Sequence, residues 1–177
     1  MNRTLNVEIL TKDDQWQKLD IPNSIKAVVL VNLQSYAGGR NIWGKSKLTQ
    51  KEIKRGLVEP GLSDGLFEVV GFRTGWHTGF VMVGLAHCVR LGQGKAARIS
   101  AGISESDPAG ENDSIFMQID GEPWKQSIPV QKGERLSIDI VHNGCSSMLM
   151  NKTMMKEQDF KETSDKPGTS GLPVSDK

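Results

Sequence analysis

Apolar residues in this chain recur in short runs rather than over long periodic stretches. LNVEIL at 5–10 and KAVVLVNL at 26–33 are rich in β-branched residues, with Pro22 and Asn23 in the gap, so both read as strands. The second run is apolar without alternation and is expected at the centre of a sheet. LFEVVGF at 66–72 opens a further strand directly after an Asp-Gly pair. From His77 to Leu91 the apolar residues Phe80, Val83, Leu85, Ala86 and Val89 fit one helical face, and the glycines of LGQG supply a stop, which predicts one helix over about 77–91. ARISAGI, SIFMQID, EPWKQSIPV and ERLSIDIVH follow as short strands separated by Gly, Pro or Asp. The pattern predicts a predominantly β, α+β fold: a sandwich-like domain over 1–150 with one helix. Residues 34–63, dense in Gly, Ser and Lys, read as a long irregular loop, and a loop of that length in a compact domain is usually functional or disordered. After about residue 150 the apolar pattern stops, and 151–177 is expected to be a disordered polar tail.

Composition adds mainly exclusions. The 177 residues carry 22 Lys and Arg against 21 Asp and Glu, a formal net charge of +1, so no global field draws the chain to nucleic acid. Cys88 and Cys145 stand in no metal-ligand spacing, and no charged and then apolar leader precedes them, which points to a reducing, cytoplasmic setting. The apolar stretch around GFVMVGLAHCV is broken by Gly84 and His87 and falls short of a membrane span, so no transmembrane segment is expected.

Candidate chemistry is sparse. There is no GxxxxGK[ST], GxSxG or HExxH motif. His77, His87 and His142 are scattered over different elements, and Tyr36 and the Trp residues at 16, 43, 76 and 124 read as core or loop anchors. KSKLTQKEIKR at 45–55 has five basic residues and one acid; it reads either as a solvated loop or as a segment that meets anionic headgroups, with too little apolar face to enter a membrane. SYAGGRN at 35–41 reads as a turn or as a glycine loop offering amides to an anion. In MQIDGEPWKQ at 117–126, Asp120 and Glu122 flank Gly121 between two apolar runs. Asp-Gly in that setting signals a tight hairpin, because a type I′ turn needs positive φ at both central residues. A second Asp-Gly at 64–65 admits the same explanation.

The ordered series NLQSYAGGRNIWG, SDGLFEVVG, GWHTGFVM, LGQGKAARI and MQIDGEPWKQ resembles the accessory, C-terminal part of the eukaryotic diacylglycerol kinases, most like the short plant type, over about residues 5–142. The resemblance implies a β-sandwich that completes the cleft of an ATP-dependent lipid kinase. In such a kinase, Mg²⁺ is required and the γ-phosphoryl group of ATP passes to diacylglycerol at a membrane surface. It also implies an acidic turn sent back toward the nucleotide, matched here by Asp120, Gly121 and Glu122, and a second loop assisting the metal or structural network, matched by Asp64 and Gly65. On that basis Glu122 and Asp120 are the catalytic candidates. Asp64, Gly65 and Gly121 are the cofactor-binding candidates, and Asp64 and Asp120 the metal candidates. The family's glycine-rich nucleotide loop has no counterpart in these residues, so the chain alone is expected to be inactive and to need a kinase catalytic domain in cis or in trans. The surface around Asp64, Glu122 and Trp43 is then expected to expose apolar area. A stand-alone regulatory or lipid-binding module is the rival expectation, and peripheral membrane association accompanies both.

Overall fold

The computed structural model describes residues 3–33, 36, 39–44, 47–61, 63–83, 87–103, 114–129, 133–145 and 147; the tail expected over 151–177 lies outside them. Strands β1 (Arg3–Leu10), β2 (Trp16–Lys18), β6 (Ala96–Ile103) and β9 (Leu136–Ile140) form one antiparallel sheet in the order β2-β1-β6-β9. Strands β3 (Ala27–Val31), β4 (Phe67–Phe72) and β5 (Val89–Gly94) form a second, in sequence order, and β7 (Ser114–Ile119) pairs with β8 (Glu122–Ser127) as a separate hairpin. The predominantly β, α+β architecture expected from the short alternating runs is the one observed.

Alternation along β4 explains the layering. Phe67 and Val69 face Val7, Ile9, Leu91 and Ala97, so the three-stranded sheet packs its inner face on β1 and β6 as one half of a sandwich. Val70 and Phe72 point the other way, into a cluster with Ile42, Trp43, Leu57, Val81 and Cys88. This outer layer is built from the segment after β3, the short helix α1 (Gln50–Lys54) and the helix α2 (Gly75–Met82).

Three expectations are corrected. KAVVLV is an edge strand, not the sheet's centre, which β4 occupies. Its unbroken apolar run has another cause: Val28 and Leu30 pack inward while Val29 and Val31 pack on the outer cluster, so both faces are covered. The helix expected over 77–91 instead spans Gly75–Met82, and Val89–Leu91 begin β5. Short apolar runs fit either period, and pairing of Val89 with Gly71 and of Arg90 with Val70 in the β4 ladder decides for strand. Finally, the 34–63 stretch is not wholly irregular. Thr49 caps α1 by accepting from the Glu52 amide, and Glu52 Oε2 accepts from the Thr49 amide at 2.7 Å and its hydroxyl at 2.8 Å, a reciprocal capping box.

β5 lies against the β1 backbone at Gly94. A Cβ there would sit 3.0 Å from Ile9 Cβ and 3.0 Å from the Leu10 carbonyl oxygen, and backbone at that distance cannot yield as a side-chain tip can. Gly94→Ala should therefore destabilise the domain by about 1–3 kcal/mol, measured by urea denaturation. An unchanged midpoint would show that β5 and β1 are not held at this separation.

Candidate functional site

The hairpin tip is built by its turn. Asp120 has φ +47° and Gly121 φ +95°, so both central residues occupy the left-handed region that a two-residue type I′ connection demands. Asp tolerates that region through its short polar side chain, and glycine enters it without a Cβ penalty. The turn sets the register: Ile119 lies opposite Glu122, Met117 opposite Trp124 and Ile115 opposite Gln126. Opposed residues share a face, so Glu122 projects on the same side as Ile119, Met117 and Trp124, of which Met117 and Trp124 are half-buried. Asp120, Gly121 and Glu122 are all exposed. Next to them Phe116 and Ile119 are 84% and 63% exposed, whereas Trp43, expected on the same surface, lies in the core at 2%.

The Asp64–Gly65 pair is a different structure from the same dipeptide. Gly65 has φ +74°, but the residues before it form no strand, and Asp64 acts as a brace. Its Oδ2 accepts from the Gly61 amide at 2.9 Å and its Oδ1 from the Leu66 amide at 2.9 Å, closing the loop onto the start of β4. The hairpin reading of this pair is corrected to an aspartate-braced loop. In SYAGGRN, the Tyr36 and Arg40 backbones exchange two hydrogen bonds of 2.9 Å, so its described residues form a tight turn.

Among the described residues no three His, Cys, Asp or Glu side chains gather as a metal-holding group, so Asp64, Asp120 and Glu122 do not form one cage. The turn joins Asp120 to Glu122, and Asp64 stands on its own loop. Each carboxylate oxygen of Asp64 receives one amide and keeps a further acceptor site. This suits Mg²⁺ only in its usual manner, in which one or two protein carboxylates are supplemented by waters and substrate phosphates.

The model of the family described as "Diacylglycerol kinase accessory domain" matches residues 2–123. This chain belongs to that family. It is 41% identical over 143 residues to "Diacylglycerol kinase 5" of Arabidopsis thaliana, covering 81% of this chain and 26% of that protein. It is 40% identical over 128 residues to "Diacylglycerol kinase 1" of Oryza sativa subsp. japonica, covering 72% of this chain and 24% of that one. With "Diacylglycerol kinase theta" of Homo sapiens the identity is 31% over 126 residues, covering 71% of this chain and 12% of that protein. The chain thus spans about a quarter of the length of its plant relatives. No solved structure matches it significantly.

This accessory domain carries one acid that reading the sequence passed over. Glu68, in the middle of LFEVVG, is 2% exposed. The signal was present as a lone charge inside an apolar, non-alternating strand. Gln93 Nε2 donates to its Oε1 at 3.5 Å while Gln93 Oε1 accepts from the Val58 amide at 2.8 Å, which links β4, β5 and the segment after α1. Desolvation pushes the Glu68 carboxyl up to about 7; the bond from Gln93 opposes it in part, and the negative charge of Asp64 adds a smaller push in the same direction as burial.

The folded state therefore retains a proton that the unfolded chain has lost, between about 4.5 and about 7. The stability this confers is fully present below about 4.5 and is lost as pH rises through about 7, a loss on the order of 3 kcal/mol. Glu68→Gln, which cannot ionise, should be increasingly stabilised relative to wild type as pH rises from 5 to 8.5, by urea denaturation at each pH. A difference between the two proteins that stays constant over that range would mean that Glu68 does not titrate there.

Proposed function

We propose that the chain is the accessory part of an ATP-dependent diacylglycerol kinase, forming one wall of the cleft in which diacylglycerol becomes phosphatidic acid, and that Glu122 is its principal catalytic contribution. The reading is supported above all by the hairpin tip. Two residues with positive φ hold an exposed acid in one register on the apolar side of a two-stranded projection, within a segment whose relatives are named diacylglycerol kinases.

A free lipid hydroxyl is a weak nucleophile, and a carboxylate within hydrogen-bond reach improves it by orienting it and accepting its proton. In the proposed step the hydroxyl oxygen bonds to the γ-phosphorus of ATP and the bond from that phosphorus to the β,γ-bridging oxygen breaks. ADP departs, and the hydroxyl proton passes to Glu122. Asp120 and Asp64 are the residues that would share Mg²⁺ with the nucleotide phosphates, with Gly121 and Gly65 setting the backbone of each turn. The ion, when bound, neutralises charge on those phosphates. Most of the catalytic power in phosphoryl transfer is positioning, so the wall supplied here acts with a nucleotide-binding part in cis or in trans. Work on a membrane lipid places the protein peripherally at a bilayer on the cytoplasmic side.

The test joins this chain to the remaining part of a plant diacylglycerol kinase and follows transfer of labelled phosphate from ATP to diacylglycerol micelles. Glu122→Gln should lower kcat by about a hundred-fold or more with little change in KM for ATP, whereas the chain alone should transfer nothing measurable. Activity of the variant equal to wild type would remove Glu122 from the chemistry.

A further inference from the structure

The basic run of the 45–55 segment is sorted by direction. Arg55 turns inward, donating to the carbonyls of Arg90 and Leu91, and Glu52 turns to Arg90 Nη1 at 3.3 Å. Lys51 and Lys54 are exposed on α1 and enter no ion pair among the described residues. What this segment lacks is an apolar face, and α2 carries one. Trp76 is 85% exposed, Phe80 50% and Val83 66%, at spacings of four and three that place them along one side of the helix and its end, while Val81 is buried at 3%. With Gly75 and Gly79 they line an open apolar groove of about 490 Å³. The two features share one layer, because Leu48 and Leu57 beside α1 pack in the same cluster as Val81 of α2.

We propose that this layer is a docking surface for an anionic lipid bilayer, with the Trp76 indole and Phe80 entering the headgroup–acyl boundary and Lys51 and Lys54 meeting the headgroup charge. Indole is suited to that boundary, since its ring is apolar and its N–H still finds a partner in the wet headgroup region. Charge favours a bilayer over a second copy of the chain, because a two-fold contact through this face would set the same lysines against each other. The choice of a bilayer rests on the lipid-kinase reading. The surface itself is distinct from the Asp120–Glu122 turn.

The experiment is cosedimentation of the full chain with phosphatidylcholine vesicles, with or without roughly 30% phosphatidylserine, all free of diacylglycerol so that substrate recognition does not enter. Binding to the anionic vesicles is expected to fall at least about ten-fold in the Trp76→Ala/Phe80→Ala double variant and comparably in Lys51→Glu/Lys54→Glu. Both variants should keep the wild-type melting temperature, since none of the four side chains is buried. Sedimentation that persists when phosphoryl transfer fails in the joined protein would leave the docking surface standing and the kinase reading overturned. No binding to anionic vesicles, or binding undiminished in both variants, would overturn the docking surface. Loss in Trp76→Ala/Phe80→Ala of association with the nucleotide-binding part of a plant kinase, with vesicle binding intact, would overturn it too and give the face to that part.

Discussion

Burial of both faces of β4 is the constraint on which the other layers depend. Val69 and Val70, adjacent in sequence and both wholly buried, point to opposite sides of the sheet: one to the sandwich interior, the other to the helical layer. A strand in this position cannot carry a polar residue cheaply, so Glu68 stands out. The register against β5 shifts between Val69 and Val70, which leaves Leu91 as the extra residue of a bulge and sets Arg90 opposite Val70. Arg90 then works as the outer layer's anchor. Its Nε donates to the Trp43 carbonyl at 2.9 Å, its guanidinium lies 5.1 Å from the Trp43 ring centroid, and its Nη1 reaches Glu52 in the α1 capping box. Burial alone would raise the Glu52 carboxyl, but the bonds from Thr49 and the charge and bond of Arg90 outweigh it and hold the carboxyl below its usual value. One strand's two-sided burial thus fixes where the cap, the tryptophan and the helix sit.

Strand identity was legible because β-branched runs bounded by Gly, Pro and Asp have few other solutions. Strand position was not. The edge strand β3 is an unbroken apolar run whereas the central strand β4 carries Glu68, and what covers β3 on its outer side is the irregular segment that follows it together with α2, which no local pattern announces. α2 was legible as a helix but not in length, since Val89–Leu91 satisfies both periods and only the ladder with β4 separates them. The Thr49–Glu52 capping box, by contrast, stood in the sequence as a four-residue signature and was masked by the density of lysines around it.

The two Asp-Gly pairs show how the same local chemistry diverges under different long-range demands. At 120–121 the flanking runs pair with each other, so the dipeptide becomes a type I′ turn and its aspartate side chain is left to solvent. At 64–65 the strand that follows pairs with β3 and β5 instead, so nothing draws the preceding residues into a ladder, and the aspartate satisfies their amides itself. The candidate site was therefore legible as residues but not as geometry: sequence placed acids beside glycines, and only topology divided them into an exposed turn and a loop brace.

That division bears on how the hairpin can direct an acid at all. A two-stranded ribbon is weakly held by its own packing, and its side-chain period of two means that a slip of one residue would move Glu122 and Trp124 together from the side of Met117 and Ile119 to that of Phe116 and Gln118. Burial does little to prevent this, because Phe116 and Ile119 are exposed on opposite faces. The buried Ser114 and Ile128 tie down the base, and at the tip the two-residue turn is what holds the register. A side chain other than glycine at 121 would pay for φ +95° by loosening that turn, and the first consequence would be a change in where Glu122 points rather than in whether the domain folds. Direction at this tip thus depends on the backbone conformation of two residues, which is why the glycine between the acids matters as much to the proposed chemistry as the acids do.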